Sequence, residues 1–135
     1  MRVEVYRNLH KQCWSVRALE GPQKGRVIAR CDELVLGGPT FHVQPAGRKK
    51  VRKTRRKNVH AFVRGMFDKR KPWRGWTTKG HRVTYNPYKH DTFVCVRDGR
   101  DAGELRAHAA SFHSDGTLWA FVAGQCVATV SMGGE

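Results

Sequence analysis

The sequence predicts a mainly β domain, with twisted antiparallel sheets forming a small sandwich or partly open barrel and one short basic helix; an α+β arrangement is the alternative. Three observations predict it. Short runs alternate apolar and polar residues, as half-buried strands require. Turn dipeptides such as Gly21-Pro22, Asn86-Pro87 and Asp115-Gly116 separate those runs. One mid-chain stretch lacks the alternation and is crowded with cations.

In order, residues 2–6 alternate and read as a strand, and Cys13–Leu19 is a second. Glu20–Gly25 is a turn, and Arg26–Cys31 a third strand. Asp32–Leu36 continues as a strand, which Gly37-Gly38-Pro39 ends. Thr40–Val43 is a short strand rich in residues that suit a pleated surface. Pro45 opens a helix over 46–56, because proline fits a position whose amide hydrogen has no helical partner. Arg and Lys are good helix formers. Residues 58–65 fit strand alternation and helical spacing alike, and the β-branched content favours a strand. Residues 68–80 read as an exposed loop carrying Trp73 and Trp76. Arg82–Tyr85 and Thr92–Arg97 are strands joined by a turn-rich connection. A C-terminal meander follows, with strands at 104–112, 118–122 and 126–130.

At 135 residues the chain is expected to form one β-rich domain, with the basic segment and aromatic loop at 46–82. No apolar run approaches the roughly 18–20 residues that span a bilayer, so no membrane partner is expected. The start, Met1–Val5, reads as strand and not as a signal-peptide core. The expected location is the cytoplasm. Cys13, Cys31, Cys95 and Cys126 fall singly on four strands, without the close pairs that structural zinc sites use. Free thiols are expected, with no metal and no cofactor.

The charge is the most informative feature. Eight of the ten residues 48–57 are Lys or Arg. Residues 48–82 hold 15 of the 26 basic side chains and one of the 11 acids, and so carry +14 of the formal +15. Crowded cations repel one another, and a polyanion removes that repulsion. Each neutralised phosphate also releases counterions. The bland alternative is a solvated basic tail, but tails sit at termini.

The candidate nucleic-acid contacts are Arg48, Lys49, Lys50, Arg52, Lys53, Arg55, Arg56 and Lys57, then Arg64, Lys69, Arg70, Lys71, Arg74, Lys79 and Arg82. Trp73 and Trp76, with Tyr85 and Tyr88, would stack on unpaired bases, which favours RNA or single strands. For a duplex, the basic helix would lie along or in the major groove. Local packing, or contact with neighbouring Arg and Lys, is the competing role for each tryptophan.

The segments Val5–Leu9, Gly47–Val63 and Val83–Val94 together resemble a group of small uncharacterised proteins of tailed bacteriophages and prophages. The resemblance implies a viral setting in the cytoplasm of a host, with host takeover or anti-defence as the role. It assigns no catalytic residue.

The leading expectation is thus a phage-type protein that binds nucleic acid or a host nucleoprotein complex. An inhibitor is the first alternative, binding a CRISPR or other defence nuclease, or a polymerase, through its basic face. A metal-independent ribonuclease is the second. It would need a general acid and base, for which His60, His81 and His90 are the candidates, and cations such as Arg56 or Lys57 for the developing charge. No catalytic residue is expected otherwise. The eleven acids are scattered and do not read as a metal-nuclease centre.

Overall fold

The computed structural model describes residues 1–8, 11–56, 60–68, 81–97, 100–104, 107–122 and 125–131. For 81–84, 95–97, 100–104, 122 and 125–131 the backbone alone is described. The described residues form eleven strands and one helix. In chain order they are β1 (Arg2–Asn8), β2 (Cys13–Ala18), β3 (Val27–Cys31), β4 (Leu34–Val43), α1 (Pro45–Thr54), β5 (Ala61–Asp68), β6 (His81–Thr84), β7 (Val94–Arg97), β8 (Arg100–Glu104), β9 (Ala109–Phe112), β10 (Thr117–Val122) and β11 (Gln125–Ser131).

Eight strands make one antiparallel sheet in the order β11-β10-β9-β4-β5-β1-β2-β3, and β6-β7-β8 make a second. The predicted fold class therefore holds: mainly β, antiparallel, with one short basic helix. The large sheet is open, with β3 and β11 at its ends. Hairpins place β1 beside β2 and β9 beside β10, whereas β4–β9 and β1–β5 join strands distant in sequence. β3 bonds to β2 along one side; Val27, Ile28 and Arg30 on it are exposed, as is Arg26 just before it.

Strand alternation builds the core. Val3 and Val5, Trp14 and Val16, Leu34 and Leu36, Ala61 and Val63, Ala110 and Phe112, and Leu118 and Ala120 all turn to the same face and are buried. Burying a large apolar side chain stabilises by roughly 1.5–3 kcal/mol. Trp14 is wholly buried, stands edge-on to Phe112 with centroids 4.9 Å apart, and donates its Nε1–H to the carbonyl of His113 at 2.9 Å. Phe93 closes this face from the β6–β7 connection, against Phe41 and Tyr85.

Several boundaries differ from the sequence expectation. Gly37-Gly38-Pro39 does not end a strand, because β4 runs through it. Gly37 pairs with Met66 and Thr40 with Arg64, so two residues of β4 face the single Gly65 of β5. That is a bulge, and Gly38 takes the left-handed φ of +55° it needs. Gly65 is required opposite, since a Cβ there would lie 2.9 Å from the carbonyl oxygen of Gly37. The predicted helix over 46–56 is α1, stopped early because Arg55 is left-handed, with φ +60°. The strand expected at 58–65 is displaced to β5 (Ala61–Asp68), with His60 bonded to the chain entering α1. The strand expected at 104–112 is two pieces: Glu104 closes β8, which pairs with β7, and only Ala109–Phe112 joins the large sheet. The exposed loop expected at 68–80 lies outside the described residues beyond Asp68.

Candidate nucleic-acid interface

Helix α1 is shaped by what it touches. Gly47 and Val51, four apart and therefore on one side, are its buried residues. A Cβ on Gly47 would fall 2.5 Å from the Cβ of His60, so glycine is what permits this approach. The amide of Gln44 donates to the His60 carbonyl at 2.7 Å and fixes the entry. Arg48 Nε donates to the carbonyl of Pro87 at 3.0 Å. The Arg55 guanidinium lies over the ring of Tyr88, 4.8 Å from its centroid.

The other sides carry the charge. Lys49, Lys50, Arg52, Lys53, Arg55 and Arg56 are exposed, and Arg48 is half-buried. Among the described residues none of these seven has a carboxylate partner. Lys49 and Lys53 are one turn apart, a like-charge pair that costs about 0.2–0.5 kcal/mol. Arg52 and Lys53 in the last turn offset part of this against the helix dipole. The helix thus exposes a dense, unneutralised field of cations beside one exposed aromatic ring, Tyr88.

The remaining candidates are distributed differently. Arg64 stands on β5, where its Nε donates to Glu4 Oε1 at 3.2 Å. Arg82 lies on β6, described by its backbone. Lys57, Lys69, Arg70, Lys71, Trp73, Arg74, Trp76 and Lys79 fall outside the described residues. Tyr85 is not an open stacking platform: it packs on Phe93, and its hydroxyl is 2.6 Å from His60 Nε2. Burial pushes its phenol up to about 12.

The histidines suited to acid–base work have local partners. His60 is 8% exposed beneath α1 and bonded to Tyr85. His90 Nδ1 accepts the amide hydrogen of Asn86 at 3.2 Å. Sequence reasoning missed a serine–histidine–carboxylate series. Ser111 Oγ is 3.0 Å from His113 Nε2, and His113 Nδ1 is 3.4 Å from Glu33 Oε2. Ser111 is fully buried, so the series ties β9 to the turn before β4 and offers no nucleophile to solvent. Of the four cysteines, Cys13 and Cys31 have described side chains and are free, with burial pushing the Cys31 thiol up. Among the described residues no group of three or more His, Cys, Asp or Glu could hold a metal ion.

Sequence reasoning also missed the outward face of β1, β2 and β5. Glu4 lies between Arg17 on β2 and Arg64 on β5, its register partners. Arg17 Nη1 is 3.5 Å from Glu4 Oε2. The Arg17 guanidinium sits over Tyr6 at 5.4 Å, and that of Arg64 over Phe62 at 5.2 Å. His42 stacks on Phe62, centroids 5.2 Å apart. Burial, and then the Arg64 guanidinium, lower its pKa below the ordinary histidine value. The signal for this face was strand alternation, which placed Glu4 and Tyr6 opposite Val3 and Val5. What it lacked was the pairing of strands sixty residues apart.

Fold and surface together define a small open-sheet β protein with a cationic helix docked at the edge of its core. The chain belongs to the family of the Mycobacterium phage L5 gene 82 protein, whose family model matches residues 1–129. It is 46% identical over 100 residues to the Gene 82 protein of Mycobacterium phage L5, an alignment covering 70% of this chain and 77% of that protein. No solved structure matches. The resemblance to small phage proteins drawn from the sequence is thereby confirmed.

Proposed function

We propose that this protein binds nucleic acid, RNA or single strands ahead of duplex, and through it acts on a host nucleic-acid machine. The observation that carries the reading is the exposed cationic surface of α1. Lys49, Lys50, Arg52, Lys53, Arg55 and Arg56 face solvent without carboxylate partners among the described residues. Such a surface binds phosphates chiefly by releasing counterions. The Tyr88 ring beneath Arg55 adds one aromatic face at the C-terminal end of the helix. Phosphate contacts from Lys and Arg carry no base sequence directly, so the backbone of the strand is the main thing recognised. Membership of a phage family supports a setting inside an infected cell.

The test is a salt titration with mixed-sequence RNA, single-stranded DNA and duplex. Six phosphate contacts give a fall in affinity of roughly 300-fold for a single strand and 2,000-fold for a duplex between 50 and 200 mM salt. Replacing Lys49, Arg52 and Lys53 by Gln lowers the slope of log affinity against log salt by about 2–3. A flat salt response in the native protein would refute the reading.

A further inference from the structure

We infer that the outward face of β1, β2 and β5 holds one unpaired nucleobase of a bound single strand. The inference rests on the nucleic-acid reading above and adds to it a site, separate from α1, that touches the base and not the phosphates.

The geometry comes from the register. Glu4 pairs with Arg17 on one side and Arg64 on the other, and Tyr6 and Phe62 lie one step further along the same face. These side chains, with Gln44, His60 and Ala61, border an open pocket of about 420 Å³. That is room for a flat heteroaromatic ring and its sugar. The walls are planar. The guanidinium of Arg17 covers Tyr6 and that of Arg64 covers Phe62, at 5.4 and 5.2 Å. Aromatic and guanidinium planes are the surfaces on which unpaired bases stack.

The floor supplies polar recognition. Glu4 is 8% exposed, and an arginine holds each of its oxygens, at 3.5 and 3.2 Å. A carboxylate has about four lone-pair sites, so capacity remains for an exocyclic amino group or a ring N–H. Two arginines against one glutamate leave the mouth cationic, which suits a nucleotide better than a neutral apolar ligand. Among the described residues Arg17 Nε has no acceptor.

The face is also surplus to the core. Val3, Val5, Val16 and Val63, on the opposite side of the same strands, are completely buried, while Tyr6 and Phe62 remain half-exposed. Gln44 connects the pocket to the phosphate surface, because it is the residue from which α1 starts. A strand with one base in the pocket can therefore lay its neighbouring phosphates along the helix.

The experiment compares three probes by fluorescence anisotropy: a mixed-sequence RNA of about 12 nucleotides, an abasic strand of equal length, and a mixed-sequence duplex. The native protein binds the base-bearing strand about 5- to 100-fold more tightly than the abasic one, the range expected for one or two stacking contacts. At some cost in the urea midpoint, Tyr6→Ala with Phe62→Ala removes that preference and leaves duplex affinity unchanged. Tyr6→Phe with Phe62→Tyr, which keeps both rings, restores it. Equal binding of all three probes by the native protein overturns the base site while leaving the nucleic-acid reading intact. Absence of binding to every probe overturns both. A preference that survives loss of both rings overturns the site alone.

Discussion

The large sheet and helix α1 are held by opposite means. Trp14, Leu36, Val63, Phe112 and Leu118 interlock on one face of the sheet, each with almost no contact with water. The helix contributes a single apolar side chain, Val51, and one glycine to its seat. The rest of its attachment is polar: Gln44 to the His60 carbonyl, Arg48 to the Pro87 carbonyl, and His60 to Tyr85 behind it. The difference teaches where charge can be concentrated. Packing that many cations onto a core strand would require burying some of them, at several kcal/mol each. A helix seated by close backbone approach can turn nearly all its side chains outward.

Three substitutions probe that contrast. Trp14→Ala empties the centre of the sheet and lowers stability by about 3–5 kcal/mol, as read from urea denaturation. The entire cooperative transition moves, because the core is shared by six strands. Gly47→Ala acts on the helix seat alone. Its new methyl meets His60, so it costs about 1–3 kcal/mol, and hydrogen exchange quickens over 45–54 more than over β1 and β2. A uniform acceleration would show that the two regions unfold as one.

The smallest effect is the pH dependence of Tyr85. Its pKa rises from 10.0 to about 12 on folding. The folded protein therefore keeps a proton that the unfolded chain releases, and the stabilisation present below pH 10 is lost as pH climbs toward 12. Tyr85→Phe flattens that decline in the urea midpoint, with little change at pH 7 beyond the lost bond to His60. An equally steep decline in the variant would assign the effect to other groups.

Much of this was legible from local pattern. Val3-Glu4-Val5-Tyr6 shows both faces of β1, Pro45 marks the start of α1, and Asp115-Gly116 gives a turn whose glycine has φ +87°. The charge of 48–56 was readable as composition, and its helix placed it on the surface. The Gly37-Gly38-Pro39 bulge was hidden because glycine and proline signal strand ends and bulges alike. β8 was hidden by its sequence, Arg-Asp-Ala-Gly-Glu, which has no strand alternation and joins a sheet through backbone bonds to β7. The pocket around Glu4 could not be read at all. Its members come from residues 4, 6, 17, 44, 60, 61, 62 and 64, and only the β2-β1-β5-β4 order unites them.

An unclosed sheet has a rim, and at β3 that rim carries Val27 and Ile28 in the open. Backbone groups on such a rim can zip onto a second copy of the chain. Lys24, Arg26 and Arg30 stand exposed along it, so two rims approaching one another meet like charge first. Concentrated salt screens that repulsion within a few ångströms. The ionic conditions that would weaken the proposed hold of α1 on a polyanion are therefore also those expected to favour pairing of two rims.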